Sequence, residues 1–290
     1  MKKTIVCFFA LCFITGSSYA LDWPAMHEKA DKLTADQAKV EAAAASDSLE
    51  ALYVLGLSCL NEHKDDQAAA AFQKMFEADS SSIEAKWGLA EVNRRKYKTN
   101  EAKNALWTLT QSEPGFAPAF ISLAYIKYNL QEYDEALKLS QTVIDLGKDK
   151  VDAANYSRAF LISAGSRGML AHYGGPIAKL VQGLRVMPEL KTAQKILPES
   201  AQVYFGLGAY YMLAPRLAGG DIKLAQVYLK KTVELDPGFA DAYARLAQLY
   251  KAGGDEAKYN EYLEKALQID PQNFLAADIK SGRCKYVCPE

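Results

Sequence analysis

The chain has 290 residues, with 34 basic and 35 acidic side chains and a formal net charge of −1. That balance excludes a strongly basic nucleic-acid binder, because neutralising phosphates requires a cationic face. No apolar run approaches the ~20 residues of a membrane span.

The first predicted element is an export signal. Lys2 and Lys3 precede an apolar run from Ile5 to Ile14, and Gly16, Ser17, Ser18 and Ala20 come after it. A positive start, about 10 apolar residues and small residues at the last and third-last positions make a secretory signal peptide cut after Ala20. A buried core helix or a membrane anchor is the alternative reading. Leu11 before Cys12, and Val6 before Cys7, do not make a lipid-attachment box, so a periplasmic or secreted mature protein is expected. Loss of two lysines leaves 32 basic against 35 acidic side chains, a net charge of −3. Cys59, Cys284 and Cys288 survive processing. In an oxidising compartment Cys284 and Cys288 are candidates for a small disulfide loop; half of a metal site is the alternative, although no His lies near. Cys59, on an apolar helix face, reads as a small buried hydrophobe.

Residues 21–48 are rich in Ala, Lys, Glu and Asp and predict one leading helix that caps the first repeat. Residues 49–150 then repeat with a period of 34. The first unit carries Leu52, Leu55, Gly56, Ala68, Phe72 and Met75; the second puts Leu89, Ala90, Ala102, Leu106 and Pro114 in register; the third offers Leu123, Ala124, Ala136 and Val143. Small residues at Gly56, Ala90 and Ala124, and at Ala68, Ala102 and Ala136, let paired helices approach, while larger neighbours fill the space around them. Ser81 three residues before Glu84, and Asp47 three before Glu50, predict capping boxes. This spacing resembles the tetratricopeptide (TPR) pattern, which implies an all-α solenoid of antiparallel helix pairs.

The register breaks over residues 151–200, where an apolar helix through Met169 leads to Gly174-Gly175-Pro176, a second helix to Leu184, and a connection holding Pro188 and Pro198. Two further units span 201–273, the first with an enlarged loop, and 274–290 forms a cap and tail. Tyr259 stands where the last unit should have Ala, so that pair is expected to splay or act as a cap. In the enlarged loop Pro215 ends one helix, Gly219 and Gly220 free the backbone, and Asp221 caps the next. Arg216 beside Tyr204, Tyr210 and Tyr211 makes a candidate site for an anionic or planar group. His172 is a candidate binding residue, with a plain helix-terminal role as the alternative. No nucleophile elbow, zinc spacing, phosphate loop or cofactor motif occurs.

Tyr210-Tyr211, Pro215, Gly219-Gly220-Asp221, Ala225 and Leu235-Asp236-Pro237, within residues 156–237, resemble the periplasmic T-component of TRAP transporters. The resemblance implies a periplasmic substrate-binding protein as partner and a hydrophobic ligand in a central channel. The leading expectation is therefore a non-catalytic envelope adaptor that binds a protein, with no cofactor, nucleic acid or membrane span, and with homo-oligomers left open. The alternative is a small-molecule or lipid binder whose channel is lined by Phe160, Leu161, Met169, Leu180 and Tyr204, residues that otherwise read as core.

Overall fold

The computed structural model describes residues 21–283; the signal-peptide segment and the Cys284–Cys288 pair lie outside them. The described residues form an α-solenoid. Two short helices lead, α1 (Trp23–Ala30) and α2 (Ala35–Ala44). Three hairpins come next: α3 (Leu49–Asn61) with α4 (Asp65–Ala78), α5 (Ile83–Arg95) with α6 (Thr99–Ser112), and α7 (Ala117–Asn129) with α8 (Tyr133–Leu146). A longer pair succeeds them, α9 (Ala153–Tyr173) and α10 (Pro176–Ile196). The rest is α11 (Ala201–Leu213) with α12 (Ile222–Leu235), α13 (Ala240–Ala252) with α14 (Glu256–Ile269), and α15 (Phe274–Ser281).

The small-residue rule is visible at Phe72. Its ring is fully buried and lies between Gly56 of α3 and Gly88 of α5, where a β-carbon at either glycine would overlap it. One aromatic side chain thus joins two successive repeats. Cys59 is buried and free.

Several details differ from the sequence expectation. The leading segment is two helices: α2 covers α3, whereas α1 turns into the concave side and packs against α3 and α9. Its Trp23 stands edge-on to Phe116, with ring centroids 5.6 Å apart. The helix caps fall one residue later than expected. Ser48 accepts from the Ala51 amide at 3.3 Å and Ser82 from Ala85 at 3.2 Å. Ser81 is already bonded to Asp79, and Asp47, at φ +54°, to Lys74. The second helix of the irregular middle does not stop at Leu184, since α10 continues through Pro188. Val186, Leu190 and Ala193 pack there with Val203 and Leu207 of α11, and that burial outweighs a proline penalty of roughly 3 kcal/mol. The last pair does not splay, because Tyr259 is buried with Ala247 and Leu263 and lies under the Lys251 ammonium at 4.6 Å.

The coil closes on itself. His63 and Tyr97 occupy the same place in the turns of successive hairpins, with φ of +58° and +60°. His63 Nε2 lies 3.1 Å from Asp236 Oδ1, and the Tyr97 hydroxyl donates to Asp270. Both contacts span 173 residues. The Tyr97 ring also meets Phe274 edge-on at 5.0 Å. The turn-bearing rim of the first two hairpins therefore meets the opposite rim of the last two units, in register.

Two variants probe this packing and this closure. Gly88→Ala should cost about 1–3 kcal/mol through overlap with Phe72, read as a lower thermal midpoint; an unchanged midpoint would show that the ring can shift. Asp236→Ala with Asp270→Ala should enlarge the radius of gyration in small-angle scattering while helix content stays the same.

Candidate binding channel

The closed coil surrounds a channel of about 3060 Å³. The first helices of the pairs form its wall, and residues one period apart take equivalent places: Leu57, Glu91 and Tyr125 on one row, Asn61, Arg95 and Asn129 on the next. One end is filled by α1. His27 is buried there, 3.0 Å from the Tyr53 hydroxyl and 3.5 Å from Asn155 Nδ2, with Trp87 packed against its ring. The other end is bordered by His172 and Lys179 of the α9–α10 hairpin and by Arg216 and Ala218 between α11 and α12, all exposed to solvent, so the channel opens there.

Charges on the wall near the closure are mostly spent. Glu91 accepts from Arg94 at 2.8 and 2.6 Å, and that guanidinium lies 4.4 Å over the Tyr125 ring. Arg95 donates to Asp65 at 2.7 Å. Across the closure Asp241 accepts from Asn273 at 2.6 Å, and burial pushes its carboxyl pKa up. The charge of Asp241, with desolvation in the channel, pushes the Tyr125 hydroxyl up in turn. Burial tends to raise Asp236, but the hydrogen bond and charge of His63 outweigh it and hold the carboxyl below the usual range. Four wall cations differ from these: no carboxylate among the described residues lies within 4.0 Å of Arg158, Lys179, Arg216 or Lys223.

The residues singled out in the sequence are only partly brought together. Tyr210 lines the channel and donates its hydroxyl to the Ala218 carbonyl, pinning the enlarged loop. Tyr211 also reaches the channel, its ring stacked on Tyr228 at 5.5 Å, and its carbonyl accepts from the Asp221 amide at 2.8 Å. Arg216 stands exposed on the 3₁₀ turn Arg216–Ala218 after Pro215. Gly219 has φ +95°, a β-carbon at Gly220 would overlap the Ala214 carbonyl, and Asp221 accepts from the Lys223 and Leu224 amides. His172, exposed on the last turn of α9, borders the channel and touches Tyr173 edge-on. Tyr204 is elsewhere: it packs against Tyr228 and is not part of the channel wall. Phe160 likewise packs on Tyr156 outside it, whereas Leu161, Met169 and Leu180 line it. The sequence reading missed Arg94, Tyr125, Arg158 and Asp241; the positions one period apart, Leu60 with Arg94 and Glu91 with Tyr125, were the signal that could have found the first two.

No cluster of three potential metal ligands occurs among the described residues, and none of their helices is long and apolar enough to cross a membrane. Burial lowers the His27 pKa to about 4, with Asp152 partly offsetting it. Between about 6.5, its ordinary value, and 4 the unfolded chain binds a proton that the folded chain does not. Stability should therefore fall by roughly 3 kcal/mol as pH drops through that window. Denaturation across pH should show this slope in the native protein and not in His27→Gln.

With this geometry in view, the chain can be set beside known proteins. The tetratricopeptide-repeat model TPR_8 matches residues 240–273, which are α13, α14 and their loops. No curated protein is significantly similar in sequence. Among solved structures, a tetratricopeptide repeat protein from Parabacteroides merdae superimposes with TM-score 0.53 at 14% identity, covering 90% of this chain and 98% of that one. The APC/C hetero-tetramer Cut9-Hcn1 gives TM-score 0.58 at 16% identity, covering 91% of this chain and 48% of that one. The human IFIT1 dimer with PPP-AAAA gives 0.55 at 18% identity, covering 87% and 59%. This chain thus spans about half of the Cut9-Hcn1 chain and under two thirds of IFIT1. The TPR match over residues 240–273 and the shared architecture show a TPR-like α-solenoid fold.

Proposed function

We propose that the chain is an exported, non-catalytic adaptor of the cell envelope that holds a segment of a protein partner in its central channel. The observation that carries this reading is the channel itself. Its volume of about 3060 Å³ is roughly three times the upper range of small-molecule pockets. A helix about 10–12 Å across, or an extended peptide, fits that scale better. Arg158 and Arg216, with no carboxylate of the described residues within 4.0 Å, favour a segment that brings its own acids. Solenoid repeats commonly offer a concave surface for such segments. Export rests on the first twenty residues, and the resemblance of residues 156–237 to T-components makes a periplasmic substrate-binding protein the first partner to try.

A second reading is favoured by one observation. Leu161, Met169, Leu180, Leu184 and Met187 give one wall an apolar lining suited to a lipid or other hydrophobic small molecule. Native mass spectrometry after gentle purification would show a retained ligand under that reading and a clean mass under the first.

The direct test places a photo-crosslinking amino acid at Tyr125, inside the channel, or at Trp107, which is 52% exposed on the second helix of its pair. In envelope extract Tyr125 should yield a discrete protein adduct and Trp107 should not. Equal labelling from both sites, or no protein adduct at Tyr125, would contradict channel binding.

A further inference from the structure

The α9–α10 hairpin is the one pair built to a different length. Its helices have 21 residues each, against 13 and 14 in the flanking pairs, which adds roughly 10 Å at 1.5 Å per residue. Gly165 sits beside Tyr128 near the end of α7, and Met169 shares a cluster with Leu213 at the end of α11. The extra turns therefore project past their neighbours at the open mouth of the channel.

On the projecting part of α10, Ile177, Leu180, Val181 and Leu184 recur at helical spacing and are 80%, 63%, 53% and 69% exposed. Contacts with α9 are made from another face: Gly183 lies against Ala171, and Gln182 accepts from Arg167 at 2.5 Å. Leu217, on the 3₁₀ turn that also borders the mouth, is fully exposed, and Tyr173 beside the hairpin turn is more than half exposed. The charge is equally uneven. No Asp or Glu occurs from residue 153 to 188, a stretch that holds Arg158, Arg167, Lys179 and Arg185. Arg167 is paired with Glu189 at 2.7 Å, whereas among the described residues Lys179 has no carboxylate within 4.0 Å and Arg185 reaches Glu189 only at 3.9 Å.

A convex tip offers no groove to a partner helix. Apolar side chains standing out beside cations instead match an anionic lipid surface, where the chains enter the headgroup boundary and the cations meet the phosphates; an amphipathic tyrosine suits that boundary. We propose that the α9–α10 tip docks the open mouth of the coil onto an anionic bilayer. This rests on the hairpin alone and does not depend on what the channel holds.

Flotation of the full chain with vesicles of phosphatidylcholine plus phosphatidylglycerol, compared with phosphatidylcholine alone, tests it. The native chain should float with the anionic vesicles and much less with the neutral ones. Ile177→Ser with Val181→Ser, two positions outside the channel wall, should weaken binding at least about tenfold, and Lys179→Glu with Arg185→Glu should abolish the anionic preference. These positions are exposed, so helix content and thermal midpoint should stay native in both variants. The apolar N-terminal segment is common to all of them, so the differences report the hairpin. Absence of flotation, equal flotation with both lipids, or variants that float like the native chain would overturn the proposal. So would an Ile177 and Val181 variant that keeps lipid binding but loses a crosslinked protein, since the tip would then serve a protein. The Tyr125 crosslink reads the channel separately, so either proposal can fail alone.

Discussion

Closure of the coil is the constraint on which the rest depends. A repeat of 34 residues presents the same turn and the same cap at fixed intervals along its two rims. When His63 meets Asp236, Tyr97 is therefore carried to Asp270 across the same 173 residues. One pairing sets the other. The contacts that hold the rims are few and partly exposed: the His63 and Asp236 side chains are 45% and 24% accessible. Pairs of that kind contribute about 0–1 kcal/mol each, far less than the hydrophobic burial between adjacent helices. The fold of each pair is thus robust, while the closure that turns a curved solenoid into a walled channel is held by weak interactions.

That division of labour explains where chemistry resides. Packing positions are occupied by small residues and by plugs such as Phe72, and they leave little freedom. Wall positions one period apart vary widely, from Leu57 to Glu91 to Tyr125, because they face the channel and not a neighbouring helix. Near the closure their charges are neutralised in pairs; toward α9 and the enlarged loop they are not. The channel is consequently asymmetric, plugged by α1 at one end and bordered by cations and apolar side chains at the other.

Much of this was legible in the sequence because it is periodic. The helix pairs, the break at Gly174-Gly175-Pro176 and the loop chemistry of Pro215, Gly219 and Asp221 all arise from local rules of spacing and backbone freedom. The misreadings arose where a residue serves a neighbour unseen in one dimension. Ser81 and Asp47 are diverted from capping by Asp79 and Lys74, Pro188 is tolerated because α10 is buried around it, and Tyr204 is drawn to Tyr228 and away from the channel. The closure itself left no local trace, since its partners lie 173 residues apart. Nor did the path of α1, whose composition suits a cap but whose Trp23 and His27 belong to the interior.

The central claim, that the solenoid is closed in solution, is tested most directly by the distance between its two rims. Spin labels at Lys98 and Gln272, both exposed and beside the Tyr97–Asp270 contact, can be read by pulsed electron resonance. A closed coil predicts a single short and narrow distance that broadens when Asp236 and Asp270 are replaced by alanine. A long, broad distribution already present in the native chain would contradict closure, and with it the walled channel.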